Sequence, residues 1–504
     1  MNNSRTINSF KNIVTGLSFQ IITIILGFVN RSVFLYCLSV DYLGIQGLFS
    51  DILNMLSLAD LGFSTVMIYS LYEPLAKNDH KKIAALISFY KKVYLAIAAF
   101  FSVVGVALIP FLKYLVNFEN EIPHLQMYYV LYLANMISSY LVVYKTNILE
   151  ADQKGYIIQK YSIIFSIAQS VCMMIFLLLT KNYIVYLVVQ VGFTYIKNLF
   201  ISFKAEKTYP FIKQKEALKK EEKIVVVKNV GSAFLYKVSG VLINATDNTL
   251  ISVLVNTSMV GYYSNYSLVV TRLTALINSV FYSMTASLGN LVVTEDEEKR
   301  FKLFKTLQTI SAILSSFCTV CLMYLIQDFI QIWLGKEYQL DKFVLSAIIV
   351  NFFLSISLLP IWVYRDATGL YRKTRYIMLI CAFLNILYSV ILGKICGLAG
   401  ILIATSLSRI STYFWYEPRL LFKQYFGKSC KIYFKFLLNN IVITAFLIVV
   451  VNFTSNRIYV DGMLTFIVKL ILTVLVSGIV LLLFYHKDSG LKIIINRIKS
   501  IIKK

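Results

Sequence analysis

Five cationic side chains sit where hydrocarbon is expected. Arg31, Lys237, Arg272, Arg409 and Lys469 each lie inside a stretch of otherwise apolar residues. A charge at such a position is costly unless it is paired, hydrated or in contact with an anion. Arginine adds a chemical property, because two parallel N–H donors grip phosphate or carboxylate oxygens. Three acids, Asp51, Asp60 and Asp247, lie within or beside the same stretches. They suit a gate, by pairing with a cation, or the carriage of a coupling proton or sodium ion. Five cations against three acids point to an anionic cargo.

The elements that must hold these groups follow from composition. The 504 residues are 58% hydrophobic and 15% charged, with mean hydropathy +0.72. The apolar runs reach the roughly 20 residues that a membrane-crossing helix needs. An all-α polytopic membrane protein is expected, with about 14 transmembrane helices. Their approximate spans are 13–38, 43–71, 84–112, 124–146, 157–180, 183–203, 224–254, 259–290, 303–327, 340–364, 376–394, 396–420, 433–453 and 463–485. The alternating ten-residue segments of a membrane barrel are absent from the sequence. Residues 1–12 are polar and the apolar run after them is too long for a cleaved leader, so no signal peptide is expected.

Charge placement sets orientation. Nearly all of the 49 Lys and Arg fall on alternate connecting segments and the two tails. The opposite segments carry only Lys113, Lys181, Lys336, Lys342, Lys394 and Arg457. By the positive-inside rule both termini are cytoplasmic. The net charge of +24 therefore reflects topology and attraction to anionic lipid headgroups, not nucleic-acid binding. Cys318 and Cys321 spell C-x-x-C on an apolar helix, and His80, His124 and His486 are far apart. Neither pattern makes a metal or redox centre, so no metal and no cofactor are expected beyond a coupling ion, H+ or Na+.

A repeat organises the chain. Sliding it by 217 residues lays Lys11-Asn12 on Lys228-Asn229, Gly44 on Gly261, Asp79 on Asp296 and Lys82 on Lys299. On the first helix Gln20, Thr23, Gly27 and Asn30 step by three or four residues and share a face. Lys237, Gly240, Asn244 and Asp247 repeat that stripe on the seventh helix. On the second helix Gly47, Ser50, Asn54, Ser57 and Ser64 form another, answered on the eighth by Ser264, Ser267, Thr271, Thr274 and Asn278. Such residues glue helices together in membranes, or they line a polar path. An offset of six helices makes the halves parallel repeats about an axis along the membrane normal, the plan of an alternating-access transporter. Gln20, Asn30, Asn54, Asn244, Thr271 and Asn278 are the expected polar lining of a cavity between the halves. Asp247, the counterpart of Asn30, is a candidate partner for the adjacent Arg31.

Three stretches carry a family resemblance. "LSVDYLGIQGLFSDILNMLSLADLGFSTVMIYSLYEPLAKND" (38–79) resembles the second-helix signature of bacterial polysaccharide repeat-unit flippases. "DNTLISVLVNTSMVGYYSNYSLV" (247–269) is similar to their seventh-to-eighth helix junction, and "LEADQKGYIIQKYSII" (149–164) to the loop before their fifth helix. The likeness runs from about residue 8 to 485. These flippases belong to the multidrug/oligosaccharidyl-lipid/polysaccharide exporter superfamily. The resemblance implies a V-shaped twelve-helix core of two pseudo-symmetric six-helix halves plus two C-terminal helices. It also implies movement of undecaprenyl-pyrophosphate-linked oligosaccharide from the cytoplasmic to the outer leaflet of a bacterial cytoplasmic membrane, for O-antigen, capsule or exopolysaccharide assembly.

The expected organisation is therefore a first half at 1–203, a cytoplasmic linker at 204–223, a second half at 224–422, and two further helices with a basic tail at 423–504. The linker reads as a solvated amphipathic segment on the membrane surface. Lys469 reads as a snorkelling side chain or part of a lipid groove. Arg31, Lys237, Arg272 and Arg409 are the expected contacts to the pyrophosphate. Polysaccharide polymerase machinery is the expected protein partner of a monomeric chain. A multidrug or small-molecule antiporter of the same superfamily is the alternative, though the cation excess disfavours cationic drugs. A membrane enzyme would need a large outer loop with a catalytic cluster, and the outer loops here are short.

Overall fold

A computed structural model describes residues 2–57, 63–118, 122–214, 216–224, 238, 240–243, 246–282, 284, 288, 295–488 and 490–492. Every regular element among them is helical. Among the described residues nine helices are long and apolar enough to cross a membrane, or ten when one pair bent by 47° counts as a single span. Part of the expected fourteen lies outside the described residues, and part is bent or divided. The second expected span is described as α2 (Val40–Leu56) and α3 (Phe63–Ala76), which follow α1 (Asn2–Cys37), with residues 58–62 between them outside the described residues. After α4 (His80–Ala107), the fourth span is the bent pair α5 (Leu125–Tyr140) and α6 (Val143–Ala151). Then follow α7 (Gly155–Thr180) and α8 (Tyr183–Thr208). The seventh span falls largely outside the described residues and ends in α9 (Asp247–Leu254), followed by α10 (Thr257–Tyr282). Beyond these lie α11 (Glu297–Trp333) and α12 (Lys342–Ala367).

The eleventh and twelfth expected spans are the two arms of α13 (Tyr371–Ser411), continued by α14 (Tyr413–Leu421). The chain reverses within α13. Gly397 has φ 58 and ψ −137, and a Cβ on Gly400 would stand 2.0 Å from the carbonyl oxygen of Leu392. Residues eight apart in a straight helix are about 12 Å apart along its axis, so the contact requires a fold-back. Glycine at 397 supplies the left-handed turn. The last two helices are α15 (Lys431–Thr454) and α16 (Met463–Tyr485), close to the expected 433–453 and 463–485.

The repeat survives in local geometry. Asp79 accepts the backbone N–H of Lys82 at 3.0 Å to cap α4, and Asp296 accepts that of Lys299 at 2.9 Å to cap α11. The helix ends α6 and α12 also match, now offset by 216 residues. The N–H of Lys154 bonds Leu149 O at 2.7 Å, and that of Leu370 bonds Arg365 O at 3.0 Å. The left-handed residues at these ends are Gln153 and Gly369.

The chain forms two compact units, Met1–Gly261 and Tyr262–Lys504. In the first, α1 lies along α7, tied by Thr15 to Gln159 at 2.7 Å and by Asn30 to Ser170 at 2.9 Å. One apolar cluster gathers Met67, Leu71, Tyr90, Tyr94 and Ile201. A second gathers Phe34, Phe49, Tyr129, Tyr132 and Tyr183. The linker is not a free surface segment. Ile212 and Leu218 are buried in the first cluster, the Tyr209 hydroxyl donates to Asp152 at 2.6 Å, and Phe211 stacks on His80 at 4.2 Å. Glu206 meets Lys145 at 2.5 Å and Lys213 at 3.3 Å. Apolar residues at 212 and 218 find a hydrophobic surface there, which outweighs the solvation expected from the linker's charge.

In the second unit α11 is the spine for α12, α15 and α16. Buried Asn440 of α15 accepts from Ser316 at 2.8 Å and Tyr485 at 2.9 Å, and donates to Ser315 at 3.2 Å. Each of these polar groups is satisfied inside the protein, as a lipid-facing helix bundle requires.

Candidate functional site

The start of α2 packs closely on the segment from α9 into α10. Gly44, Gly47 and Asp51 step by three and four along one face of α2. A Cβ on Gly44 would lie 2.2 Å from Thr257 O, and one on Gly261 would lie 2.2 Å from Val40 O. Val40 and Thr257 are themselves 217 apart, as are Gly44 and Gly261, so the contact is reciprocal under the repeat. A third pair obeys the same rule, since Ser258 donates its hydroxyl to Asp41. Neither side of this crossing tolerates a side chain at the glycine.

Around the crossing the backbone is pinned. Thr257 donates its N–H to Asn117 O at 2.8 Å, and its hydroxyl accepts the Asn117 N–H at 2.8 Å. Ser252 donates to Leu115 O at 2.7 Å. Deeper along α2, Asp51 is 7% exposed and its Oδ2 accepts the N–H of Asn248 at 3.0 Å, near the start of α9. Asp247, the first residue of α9, interacts electrostatically with Asp51. Two of the three expected acids are thus brought together. Asp60 lies outside the described residues, as do Lys237 and Asn244.

The expected cations occupy different settings. Arg31 is half-buried on α1, within electrostatic reach of the Tyr132 and Tyr186 hydroxyls of α5 and α8. Arg272 of α10 is half-buried and makes no hydrogen bond or ion pair among the described residues. Arg409 is 9% exposed. It donates from Nη1 to Ser355 at 2.7 Å, while its Nε has no partner among the described residues.

Lys469 neither snorkels nor lines a groove. It is buried on α16 and meets Asp328 of α11 at 2.6 Å. Asp328 escaped attention because the expected helix stopped at 327, whereas α11 runs to Trp333. A second missed pair is buried Arg365, whose Nη1 meets Glu417 at 2.9 Å and whose Nε meets Asp366 at 3.0 Å. The spans therefore carry more acid than the five-to-three count implied. Lys469 is neutralised locally and drops out of the argument for an anionic cargo.

Of the expected polar lining, Asn30 is engaged with Ser170 of α7. Gln20 and Asn278 are half-buried, each with a side-chain carbonyl that has no partner among the described residues. Asn54 and Thr271 are exposed, and Thr271 donates back to Ser267 O at 2.5 Å. Asp41 and Ser258 were missed, although their 217-residue spacing was the available signal.

No known family and no curated protein matches this sequence. Solved structures do match its fold. A lipid II flippase, MurJ, in an inward closed conformation is 16% identical with TM-score 0.66, covering 93% of this chain and 99% of that one. An inward-facing multidrug resistance MATE family transporter of the MOP superfamily is 11% identical with TM-score 0.61, covering 81% and 97%. A MATE transporter of Vibrio cholerae is 11% identical with TM-score 0.54, covering 86% and 100%. The chain has the all-helical fold that these flippases and transporters share.

Proposed function

We propose that the chain is a flippase that carries undecaprenyl-pyrophosphate-linked oligosaccharide repeat units from the cytoplasmic to the outer leaflet by alternating access. It serves O-antigen, capsule or exopolysaccharide assembly in a bacterial cytoplasmic membrane, with both termini cytoplasmic and an ion gradient as the driving force. The observation that carries this reading is the reciprocal crossing of residues 40–44 with 257–261. Both strips lie on the side away from the basic segments, and they meet through glycines, carbonyls and one hydroxyl–carboxylate bond. Parting it would break these contacts and the hydrogen bonds of Thr257 to Asn117 and Ser252 to Leu115, polar groups that water can take over, as the outer closure of an alternating-access cycle requires.

The cargo assignment rests on the cations. A pyrophosphate crossing hydrocarbon needs replacement for its lost hydration, and Arg31, Lys237, Arg272 and Arg409 are the groups suited to give it. Arg272 supports this most directly, since its guanidinium is partly sheltered and has no partner of its own among the described residues. The polymerase machinery that links repeat units is the partner this reading implies.

The test uses a strain lacking the gene. Lipid-linked oligosaccharide is expected to accumulate on the cytoplasmic leaflet and surface polysaccharide to disappear. Wild-type protein restores both, whereas Arg272→Ala and Lys237→Ala restore neither despite normal membrane abundance. Full surface polysaccharide in both variants would sink the cationic reading. Export of a cationic drug with no effect on surface polysaccharide would replace it with the antiporter.

A further inference from the structure

Pro360 stands inside α12, where a proline has no N–H to give and its ring presses on the carbonyl one turn back. The carbonyl deprived in this way is that of Ile356. Ser311 of α11 supplies a donor in its place, its hydroxyl bonding Ile356 O at 2.6 Å. The next residue is not served in the same way. Ser357 is buried, and its Oγ has no partner among the described residues. A helical serine commonly turns its hydroxyl on the carbonyl four residues back, as Ser355 does with Asn351 O at 2.8 Å. Ser357 does not.

A cavity of about 10 Å³ lies beside the break, and its polar lining comes from Gln308 and Ser311 of α11, Ser357 of α12, and Tyr433 and Asn440 of α15. That volume is enough for one water molecule. Gln308 is buried and weakly engaged, since its Nε2 meets the Tyr433 carbonyl at 3.5 Å, the far limit of a hydrogen bond. Buried Asn440 donates one amide bond, to Ser315, which leaves a second N–H to give. A void lined by apolar groups alone stays dry, whereas this one carries hydroxyl and amide side chains. No carboxylate lines it, so its ligand is neutral.

We propose that this cavity binds a single water molecule, held by Ser357, Gln308 and Asn440, and that the water completes the repair of the proline break. Water both gives and accepts, so it can take the Ser357 hydroxyl and the two amides together. Broken helices persist at membrane depth where side chains and ordered water satisfy the groups that the break has freed. The three ligands come from three helices, so the water also ties α15, the first of the two C-terminal helices, to α11 and α12. The site does not depend on what the chain carries.

Short X-ray pulses split bound water into hydroxyl radicals, which oxidise the side chains beside it. Applied to the full chain in lipid nanodiscs without cargo, they should label Leu437, a buried residue of the cavity wall, and spare Phe101, which is fully buried in the first unit. After rapid mixing with water enriched in the heavy oxygen isotope, the oxygen added to Leu437 should stay light at delays at which exposed side chains already carry heavy oxygen. Ser357→Ala removes a ligand and keeps the space, so labelling of Leu437 should fall several-fold and the melting temperature should drop. In a dry cavity the same change would relieve an orphaned hydroxyl and raise it. Ala312→Val fills the space and should abolish the label.

Leu437 labelled no more than Phe101, heavy oxygen there as early as at exposed residues, or undiminished labelling in Ser357→Ala would each overturn the proposal. Should the variants fail to accumulate, the two readings on the unmodified protein decide.

Discussion

At the scale of single residues, intramembrane charge divides into groups with partners and groups without. Lys469 and Asp328 form a pair at 2.6 Å with the lysine buried, and removing one member leaves the other charge uncompensated. Lys469→Met is expected to cost about 3–5 kcal/mol of stability, as truncation of a buried pair does, whereas Lys469→Met with Asp328→Leu should recover most of the loss. Thermal unfolding in detergent measures both, and a single substitution as mild as the double one would show that the pair is not energetically coupled. Arg409 and Lys469 lie on helices long and apolar enough to cross a membrane, as the sequence suggested. It did not disclose their environments, because partners such as Ser355 and Asp328 come from helices 54 and 141 positions away. Hydropathy reads what lies along one helix and is blind to what lies beside it.

Among the elements, the decisive contact is the crossing of α2 with the start of α10. Gly44→Ala would push a methyl to 2.2 Å from a backbone carbonyl, and backbone cannot rotate away. Overpacking of this kind costs about 1–3 kcal/mol. The cost should fall on the closed junction in preference to the fold, so Gly44→Ala and Gly261→Ala are each expected to hold the outer side open while the proteins melt close to wild type. Spin-label distances across the junction check this, and short distances in both variants would contradict it. The repeat made both glycines legible, because aligning the halves sets one on the other. Their mutual contact was not legible, since a repeat predicts equivalence and not contact. The bend in the fourth expected span was illegible for another reason, because residues 124–146 are apolar enough to read as one helix, and periodicity does not register the 47° turn between α5 and α6.

For the molecule as a whole, the two C-terminal helices are fastened to the second unit by one face each, which packs on α11 through Ile443, Leu447, Val451 and Leu481. Ser315, Ser316 and Asp328 of α11 are satisfied by Asn440, Thr444 and Lys469. Removing residues 427–504 would turn those groups toward lipid, where each unsatisfied one is costly. A chain ended there is expected to fall several-fold in membrane abundance, and immunoblotting of membranes against the full-length protein measures it. Wild-type abundance of the truncated chain would show that the pair is an accessory. The count of these helices was readable from hydropathy, and their attachment was not. The reciprocal crossing has a further consequence. Position 40 meets the equivalent of 44 and position 44 the equivalent of 40, which is the rule obeyed by an isologous interface between identical subunits. A six-helix ancestor with glycine at that one position could make this contact with a second copy of itself, so a homodimer could have possessed the closure before gene fusion joined the two copies.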